Sequence, residues 1–188
     1  MTRTITVLLG YLVLGFAFWF HTPAPQPVKI VPVTAAQIKE GVKNERYQKR
    51  VQRATKLAER VYRRFGCSQS LAGSTGRIAE ENMLPANLLA GLVFVESSCN
   101  PNAKDGLGSI GLTQVNSKVW GRKNLRDPET NLRIGARILA GYVARFGLIE
   151  GLHRYNGYSS VHNHVYVRKV LTAAGMEHAL QEQRRPNS

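Results

Sequence analysis

A glutamate at the end of an apolar run has the clearest chemical potential in this chain. Residues 88–100 read LLAGLVFVESSCN. Helical spacing would place Glu96 on or beside the face that carries Leu89 and Leu92, seven and four residues earlier. A carboxylate on such a face loses its water, so its pKa rises, and a carboxyl group still protonated near neutral pH is a general acid. The alternative is a glutamate on a solvated last turn, which has no such role.

Three further short motifs follow the glutamate. After ESSCNPNA at 96–103 come GLTQV at 111–115, NLRIGARIL at 131–139 and RYNG at 154–157. In this order the four motifs resemble the soluble lytic transglycosylase family, whose lysozyme-like domain has E-S-x-F-N-P, G-L-M-Q, N-x-x-x-G-x-x-Y-L and A-Y-N-x-G. The resemblance covers about residues 76–172. The chain departs from the family at Cys99, Thr113 and Arg154, where an aromatic residue, methionine and alanine are usual. These departures affect the groove or its packing more than the chemistry.

The resemblance implies a mainly α, lysozyme-like fold of the goose-type lysozyme and transglycosylase class, and cleavage of the MurNAc–GlcNAc bond of peptidoglycan without water. Glu96 would protonate the bridging oxygen and then accept the proton of the MurNAc 6-hydroxyl, which attacks C1 and leaves a 1,6-anhydro sugar. Tyr155 would orient the carboxylate by a hydrogen bond. Ser97, Gln114 and Asn156 would line the sugar groove. We expect no cofactor, and no metal site, because neither the cysteines nor the histidines have metal-ligand spacing.

The residues alone leave other interpretations open. Tyr155 is also compatible with core packing, Gln114 with a helix start and Asn156 with a turn. Hydrolysis by water needs a second carboxylate, and Asp105 is the candidate nearest to Glu96 in sequence, so a muramidase is one alternative. A protein that binds the wall without cutting it, as part of a secretion machine or a virion, is another.

The elements that must position these residues are mainly α-helices, since no segment shows convincing strand alternation. Spacing predicts helices over 77–83, 127–146 and 161–171, around the helix that ends near Glu96. Asp127 is the expected N-cap of the second of these. Gly135 and Gly141 lie inside it, and close approach of another helix would offset their low helix propensity. The lysozyme-like domain should span 67–175, followed by a polar tail, 176–188.

The first residues predict contact with a membrane. Residues 4–20 are uncharged and almost entirely apolar. As a helix they would measure about 25 Å, slightly less than a bilayer core of about 30 Å. We interpret 1–22 as a signal-anchor or a signal peptide and 23–34 as a Pro-rich linker. The expected location is the cell envelope, with the protein anchored in the inner membrane and facing the periplasm, or exported.

Segment 35–66 predicts a strongly basic amphipathic helix. It holds ten Lys and Arg residues and three Glu residues, and so carries half of the net charge of +14. This face could be an ordinary solvated surface, or it could attract anionic polymers or lipid headgroups. We expect no nucleic acid partner, because no zinc, RNP or helix-turn-helix signature accompanies the charge.

The two cysteines, Cys67 and Cys99, are compatible with one disulfide in an oxidising compartment. Such a bond would pin the end of the basic helix beside the turn that follows Glu96. Two unpaired buried thiols are the alternative.

Overall fold

The protein is described by a computed structural model over residues 35–121, 124–157 and 164–182. The predicted segments 1–22 and 23–34 lie outside these residues, as does the end of the predicted tail. Within the described part, the chain is mainly α-helical, as predicted. Its elements are helices α1 (Ala35–Arg64), α2 (Leu71–Glu81) and α3 (Ala86–Ser97), strands β1 (Ser109–Ile110) and β2 (Val115–Asn116), and helices α4 (Ser117–Trp120), α5 (Pro128–Phe146), α6 (Leu148–Tyr155), α7 (His164–Ala174) and α8 (His178–Glu182).

Helix α3 lies at the centre of the core. Its residues are apolar on every side, the pattern of a helix surrounded by other elements. Leu88, Leu89 and Leu92 are fully buried. Gly91 allows α7 to approach closely, because a Cβ there would lie 2.8 Å from the backbone nitrogen of Ala174. The acid-bearing helix is therefore held by α1, α2 and α7 together.

Helix α1 contributes its second half to this core. Ala58 and Tyr62 are fully buried, and the Tyr62 hydroxyl lies 2.7 Å from that of Thr75 on α2. The first half of α1 is exposed from Lys39 to Arg46. Segments 35–66 and 67–175, which we separated by composition, thus share one core.

A short hairpin and helix α5 form one side of the molecule. The two strands pair antiparallel, with Ser109 opposite Asn116. Each strand has only two residues, which is too short for an alternation to be visible in the sequence. Asp127 caps α5 as predicted, accepting the amide of Thr130 at 2.9 Å, and Gly147 follows its last residue.

Asn131 on α5 binds the loop between the two strands. It is fully buried. Its Oδ1 accepts from the amide and the hydroxyl of Thr113, at 2.8 and 2.7 Å. Its Nδ2 donates to the carbonyls of Ile110 and Leu125, at 2.7 and 3.0 Å. One side chain thus satisfies four backbone or hydroxyl groups and fixes the loop against α5.

The glycines of α5 differ from our expectation. A Cβ on Gly135 would lie 2.3 Å from the hydroxyl oxygen of Thr113, so the close neighbour is the loop and not a second helix. Around Gly141 there is nothing within 4 Å. Close helix approach at these positions was therefore a wrong prediction.

Further helix boundaries differ from the predictions, and α7 ends at Ala174, three residues after its predicted end. Helix α2 begins at Leu71, six residues before the predicted start, because Ala72 and Thr75 are buried against the core. The segment predicted as a polar tail contains α8, and Met176, Ala179 and Leu180 pack against the core. The sequence rule failed there because these apolar residues are scattered among polar ones.

Cys67 and Cys99 form a disulfide, with Cα atoms 5.8 Å apart. It joins the turn after α1 to the turn after α3. No helix in the part of the chain that the structure describes is both long and apolar enough to cross a bilayer. The apolar segment 4–20 is not among those residues.

Candidate active site

Glu96 lies in the last turn of α3, where the helix ends in a tight left-handed turn. Ser98 and Cys99 have φ angles of 50° and 63°. The Ser98 amide still donates to the carbonyl of Phe94, at 2.8 Å. Because Cys99 is also in the disulfide, the turn is fixed by a covalent bond only three residues from the carboxyl group.

The Glu96 carboxyl group is largely removed from solvent. Burial raises its pKa to about 7, a hydrogen bond from Tyr166 opposes that rise, and the charge of Asp105 adds to it. The Tyr166 hydroxyl on α7 donates to Glu96 Oε1 at 2.5 Å. No other hydrogen bond reaches this carboxyl group from the described residues, so Oε2 is available to a substrate. At neutral pH a large fraction of Glu96 is therefore protonated.

Tyr155 does not bond the carboxylate. Its hydroxyl donates to the carbonyl oxygen of Thr113, at 2.8 Å. Burial and the nearby charge of Glu96 raise the pKa of Tyr155, so this phenol stays protonated. The orienting contact expected from Tyr155 is made by Tyr166. Tyr155 instead ties the end of α6 to the loop that Asn131 holds.

Ser97 does not line the groove, in contrast to the prediction. It is buried, and its hydroxyl lies 3.0 Å from the carbonyl oxygen of Val93 and 2.8 Å from that of Leu112. One residue along a helix turns a side chain by 100°, so Ser97 faces the core where Glu96 faces the cleft. Its role is to join α3 to the loop.

Gln114 and Asn156 do lie at the cleft with Glu96 and Tyr155. Gln114 adopts a positive φ of 48°, and its side-chain amide donates to the carbonyl of Gly111 at 3.0 Å. Asn156 directly follows α6. Of the five predicted site residues, the structure thus brings four together around one cavity.

This first cavity has a volume of about 550 Å³, enough for sugar units. Three of its apolar residues, Leu107, Val119 and Trp120, are 73%, 72% and 45% exposed. Exposed apolar and aromatic side chains beside polar groups suit the faces of sugar rings. The lining residues are Glu96, Asp105, Leu107, Ser109, Gln114, Val115, Asn116, Val119, Trp120, Ile138, Tyr142, Arg154, Tyr155, Asn156 and Gly157.

Asp105 lies in the same cavity but in a different environment. Its Oδ1 accepts the amides of Leu107, Gly108 and Ser109, at 2.9, 2.7 and 2.7 Å. Hydrogen bonds, above all from Ser109, lower the pKa of this exposed carboxyl group. At neutral pH Asp105 is therefore ionised, whereas a large fraction of Glu96 is protonated.

Comparison with known families agrees with this geometry. The family model described as the transglycosylase SLT domain matches residues 74–167, which include Glu96 and every other candidate site residue. The chain belongs to this family.

A similar curated protein is described as a transglycosylase of Enterobacteria phage PRD1. It is 35% identical to this chain over 86 residues, which are 44% of this chain and 32% of the phage protein. The chain therefore matches about a third of that relative's length. No solved structure matches the chain.

The three departures from the SLT motifs have different surroundings. Thr113 is buried and bonded to Asn131, and Cys99 is in the disulfide. Arg154 alone lines the cavity. It contacts Glu150 at 2.8 Å and lies 3.8 Å from the Phe146 ring centroid.

Sequence reasoning missed Tyr166, Trp120 and Tyr142. Tyr166 is 70 positions from Glu96, and no local spacing relates the two residues. Trp120 and Tyr142 were visible only as aromatic residues outside the four motifs. An exposed tryptophan close after the glycine-rich turn was the signal that could have identified the first of them. Among the described residues, no group of three or more His, Cys, Asp or Glu side chains could hold a metal ion.

Proposed function

We propose that this SLT domain is a lytic transglycosylase that cleaves the MurNAc–GlcNAc bond of peptidoglycan and leaves 1,6-anhydro-MurNAc ends. The observation that supports this best is a carboxyl group with a pKa near 7 at a cavity wide enough for sugars. A group that is partly protonated at neutral pH can donate a proton and then accept one.

In the proposed reaction, Glu96 transfers its proton to the bridging oxygen as the bond from that oxygen to MurNAc C1 breaks. The MurNAc 6-hydroxyl oxygen then forms a bond to C1. The now ionised Glu96 accepts the proton of that hydroxyl, so the enzyme ends in its starting state. Because the nucleophile belongs to the substrate, one carboxyl group suffices and the dry surroundings of Glu96 suit the reaction.

The contacts around Glu96 support separate roles for its neighbours. Tyr166 is a positioning residue, because it holds Oε1 and leaves Oε2 for the sugar oxygens. Gln114 and Asn156 are proposed to bind sugar hydroxyls. Tyr155 is proposed to fix the cleft wall through Thr113.

Asp105 is the observation behind the alternative of hydrolysis, since it lines the same cavity as Glu96. A muramidase would need it to activate water. Its lowered pKa makes it a weak base, and three backbone amides already bond one of its oxygens. We therefore favour the substrate hydroxyl over water as the nucleophile.

The test is mass spectrometry of the fragments released from intact sacculi. Transglycosylation predicts anhydro ends, which are lighter than reducing ends by one water, and hydrolysis predicts reducing ends. Glu96→Gln keeps the shape of the side chain without an acidic proton and should release no fragments. If the wild-type protein binds sacculi but releases nothing, the wall-binding scaffold replaces the enzyme.

We further propose that the domain acts at the cell envelope or outside the cell, where peptidoglycan is accessible. The apolar segment 4–20 would attach it to the inner membrane or direct its export. Partners in a secretion machine or a virion remain part of this proposal. Extraction of the full chain from membranes by detergent, but not by salt, would support the anchor.

A further inference from the structure

A second cavity shares Glu96 with the first. It has a volume of about 670 Å³. Glu96 and Asn156 line it as well as the first cavity, so the two meet at the candidate acid. A substrate bound in the first cavity therefore has room to extend past Glu96.

One wall of this second cavity is a single face of α7. Val165, Arg168, Lys169 and Thr172 follow one another at intervals of three, one and three residues, which places them on the same side of a helix. Val165, Arg168 and Lys169 are exposed. The same helix carries Tyr166, which bonds Glu96.

Other residues that line this cavity are apolar. Phe65, from the turn after α1, stacks on Phe94 of α3 with ring centroids 3.8 Å apart, and Val95 lies beside them. A ligand in this cavity would therefore meet both apolar surface and positive charge.

The charge of this cavity is not balanced. Arg168 and Lys169 form no ion pair with any residue that the structure describes. Among the described residues that line the cavity, Glu96 is the one acidic residue, and its raised pKa keeps part of it protonated at neutral pH. Two cations in a cavity that Glu96 also lines are thus available to an anionic ligand.

The glycan backbone cannot supply that anion, because MurNAc and GlcNAc rings are uncharged. Negative charge enters peptidoglycan at the lactyl arm of MurNAc, as the carboxylates of the stem peptide or, where the peptide is missing, as the carboxylate of the lactyl group itself. We propose that the second cavity binds these carboxylates through Arg168 and Lys169, with the apolar part of the stem against Phe65 and Phe94. This inference rests on the proposed function, since it assigns a part of the same substrate.

The test measures binding without turnover. In the full chain carrying Glu96→Gln, the dissociation constant is determined for soluble glycan strands with and without Arg168→Gln and Lys169→Gln. Three substrates are compared: strands with stem peptides, strands whose peptides an amidase has removed, and stem-bearing strands whose carboxylates are blocked as methylamides. Lys104→Gln with Arg126→Gln is the matched control, because it removes the same charges from exposed positions that line neither cavity and lie outside the basic helix α1.

We expect the Arg168 and Lys169 substitutions to weaken binding of stem-bearing strands about tenfold and binding of blocked strands little, the size expected for losing charge-assisted hydrogen bonds. If the two substitutions weaken binding of amidase-treated strands equally, the ligand is the lactyl carboxylate. If they leave binding of those strands unchanged, the ligand is the stem peptide. The inference is overturned if the two substitutions leave binding of stem-bearing strands unchanged. It is also overturned if they weaken binding of blocked strands equally, or if the control variant weakens binding of stem-bearing strands by the same factor. Cleavage by protein with an intact Glu96 is measured in parallel, so a failure of the proposed reaction is distinguished from a failure of this site.

Discussion

The Tyr166 hydroxyl on α7 donates a hydrogen bond to Glu96 Oε1 at the end of α3, across 70 positions of sequence. The contact depends on the close approach of the two helices at Gly91. Two influences on the acid are therefore opposed. Burial favours the protonated form, and the phenol favours the ionised form that must exist between the two halves of the proposed reaction.

Removing the phenol should shift the pH dependence of catalysis. In Tyr166→Phe the pKa of Glu96 rises, because the contact that lowers it is lost while burial stays. We expect the fall in kcat/KM on the alkaline side, which reports the Glu96 pKa of about 7 in the free protein, to move to higher pH. The maximum of kcat should drop about tenfold or more, as the carboxyl group loses its fixed orientation. Rates of muropeptide release between pH 5 and 9 measure both effects.

Tyr155→Phe is the matched control for that experiment. It also removes one buried phenolic hydroxyl, but that hydroxyl bonds the Thr113 carbonyl and not the acid. The alkaline limb of the pH–rate profile should stay in place. Any loss of activity should appear as a higher KM, because the cleft wall is disturbed. A shift of the limb in Tyr155→Phe but not in Tyr166→Phe would contradict these assignments.

Glu96 should lower the stability of the fold at high pH. Its pKa is raised from 4.5 to about 7, so its ionised form is disfavoured in the folded state. The resulting loss of stability is absent below pH 4.5, grows up to pH 7 and is constant above. Glu96→Gln avoids this loss and should be more stable than wild type by about 3 kcal/mol at pH 8, with little difference at pH 4.5. Urea denaturation at the two pH values gives the comparison, and a difference independent of pH would show that the carboxyl group is hydrated.

Two glycines in α5 should respond in opposite directions to alanine. In Gly135→Ala, the new methyl group would overlap the Thr113 hydroxyl, which Asn131 already holds, so we expect a loss of about 1–3 kcal/mol and reduced activity. In Gly141→Ala, the methyl group meets nothing, and better helix propensity should add about 0.5–1 kcal/mol. Thermal unfolding of both variants is the measurement. A stable Gly135→Ala protein would mean that the loop is not held tightly against α5.

The disulfide should stabilise the fold mainly by restricting the unfolded chain. Cys67 and Cys99 are 32 positions apart, and closing such a loop contributes about 3–4 kcal/mol in the chain-entropy model. The double substitution Cys67→Ser and Cys99→Ser should lower the free energy of unfolding by about that amount. It should also reduce kcat at temperatures where the protein is still folded, because the turn after Glu96 loses its covalent support. Unchanged kcat at full folding would limit the bond to a role in stability.

The basic face of α1 should affect binding to sacculi. Arg46, Arg53 and Arg60 are exposed, and no ion pair to them is formed within the described residues. Replacing all three with Gln should weaken binding at low salt and make it less dependent on salt, because exposed charges act over about 10 Å at 0.1 M. The triple variant Arg126→Gln, Arg137→Gln and Arg145→Gln removes the same charge elsewhere. Equal effects from both variants would assign the attraction to net charge and not to this helix.

The sequence was most informative where the signal was local. Such signals lie within short segments. The apolar run before Glu96 and the Asp127 cap each predicted a helix, and the family motifs placed Glu96, Gln114 and Asn156 at the cleft. Ser97 was wrongly assigned to the groove. A motif shows only that Ser97 follows Glu96 in sequence, whereas adjacent residues of a helix point in different directions.

Contacts between residues that are far apart in the chain could not be predicted from the sequence. The bond between Tyr166 and Glu96 depends on the packing of α3 on α7, which no spacing rule encodes. The same holds for Gly135, since the partner that explains it is a loop residue 22 positions earlier, Thr113. The two-residue strands were too short for any pattern.

The Asn131 side chain joins three segments, because it bonds Thr113 in the loop between the strands, Ile110 at the end of β1 and Leu125 before α5. Leu107 and Val119 are exposed and lie outside this loop, so they can be exchanged without removing these contacts. A protein engineer who keeps Asn131 and Thr113 therefore retains the frame of the cavity while varying its exposed residues to change which ligands it prefers.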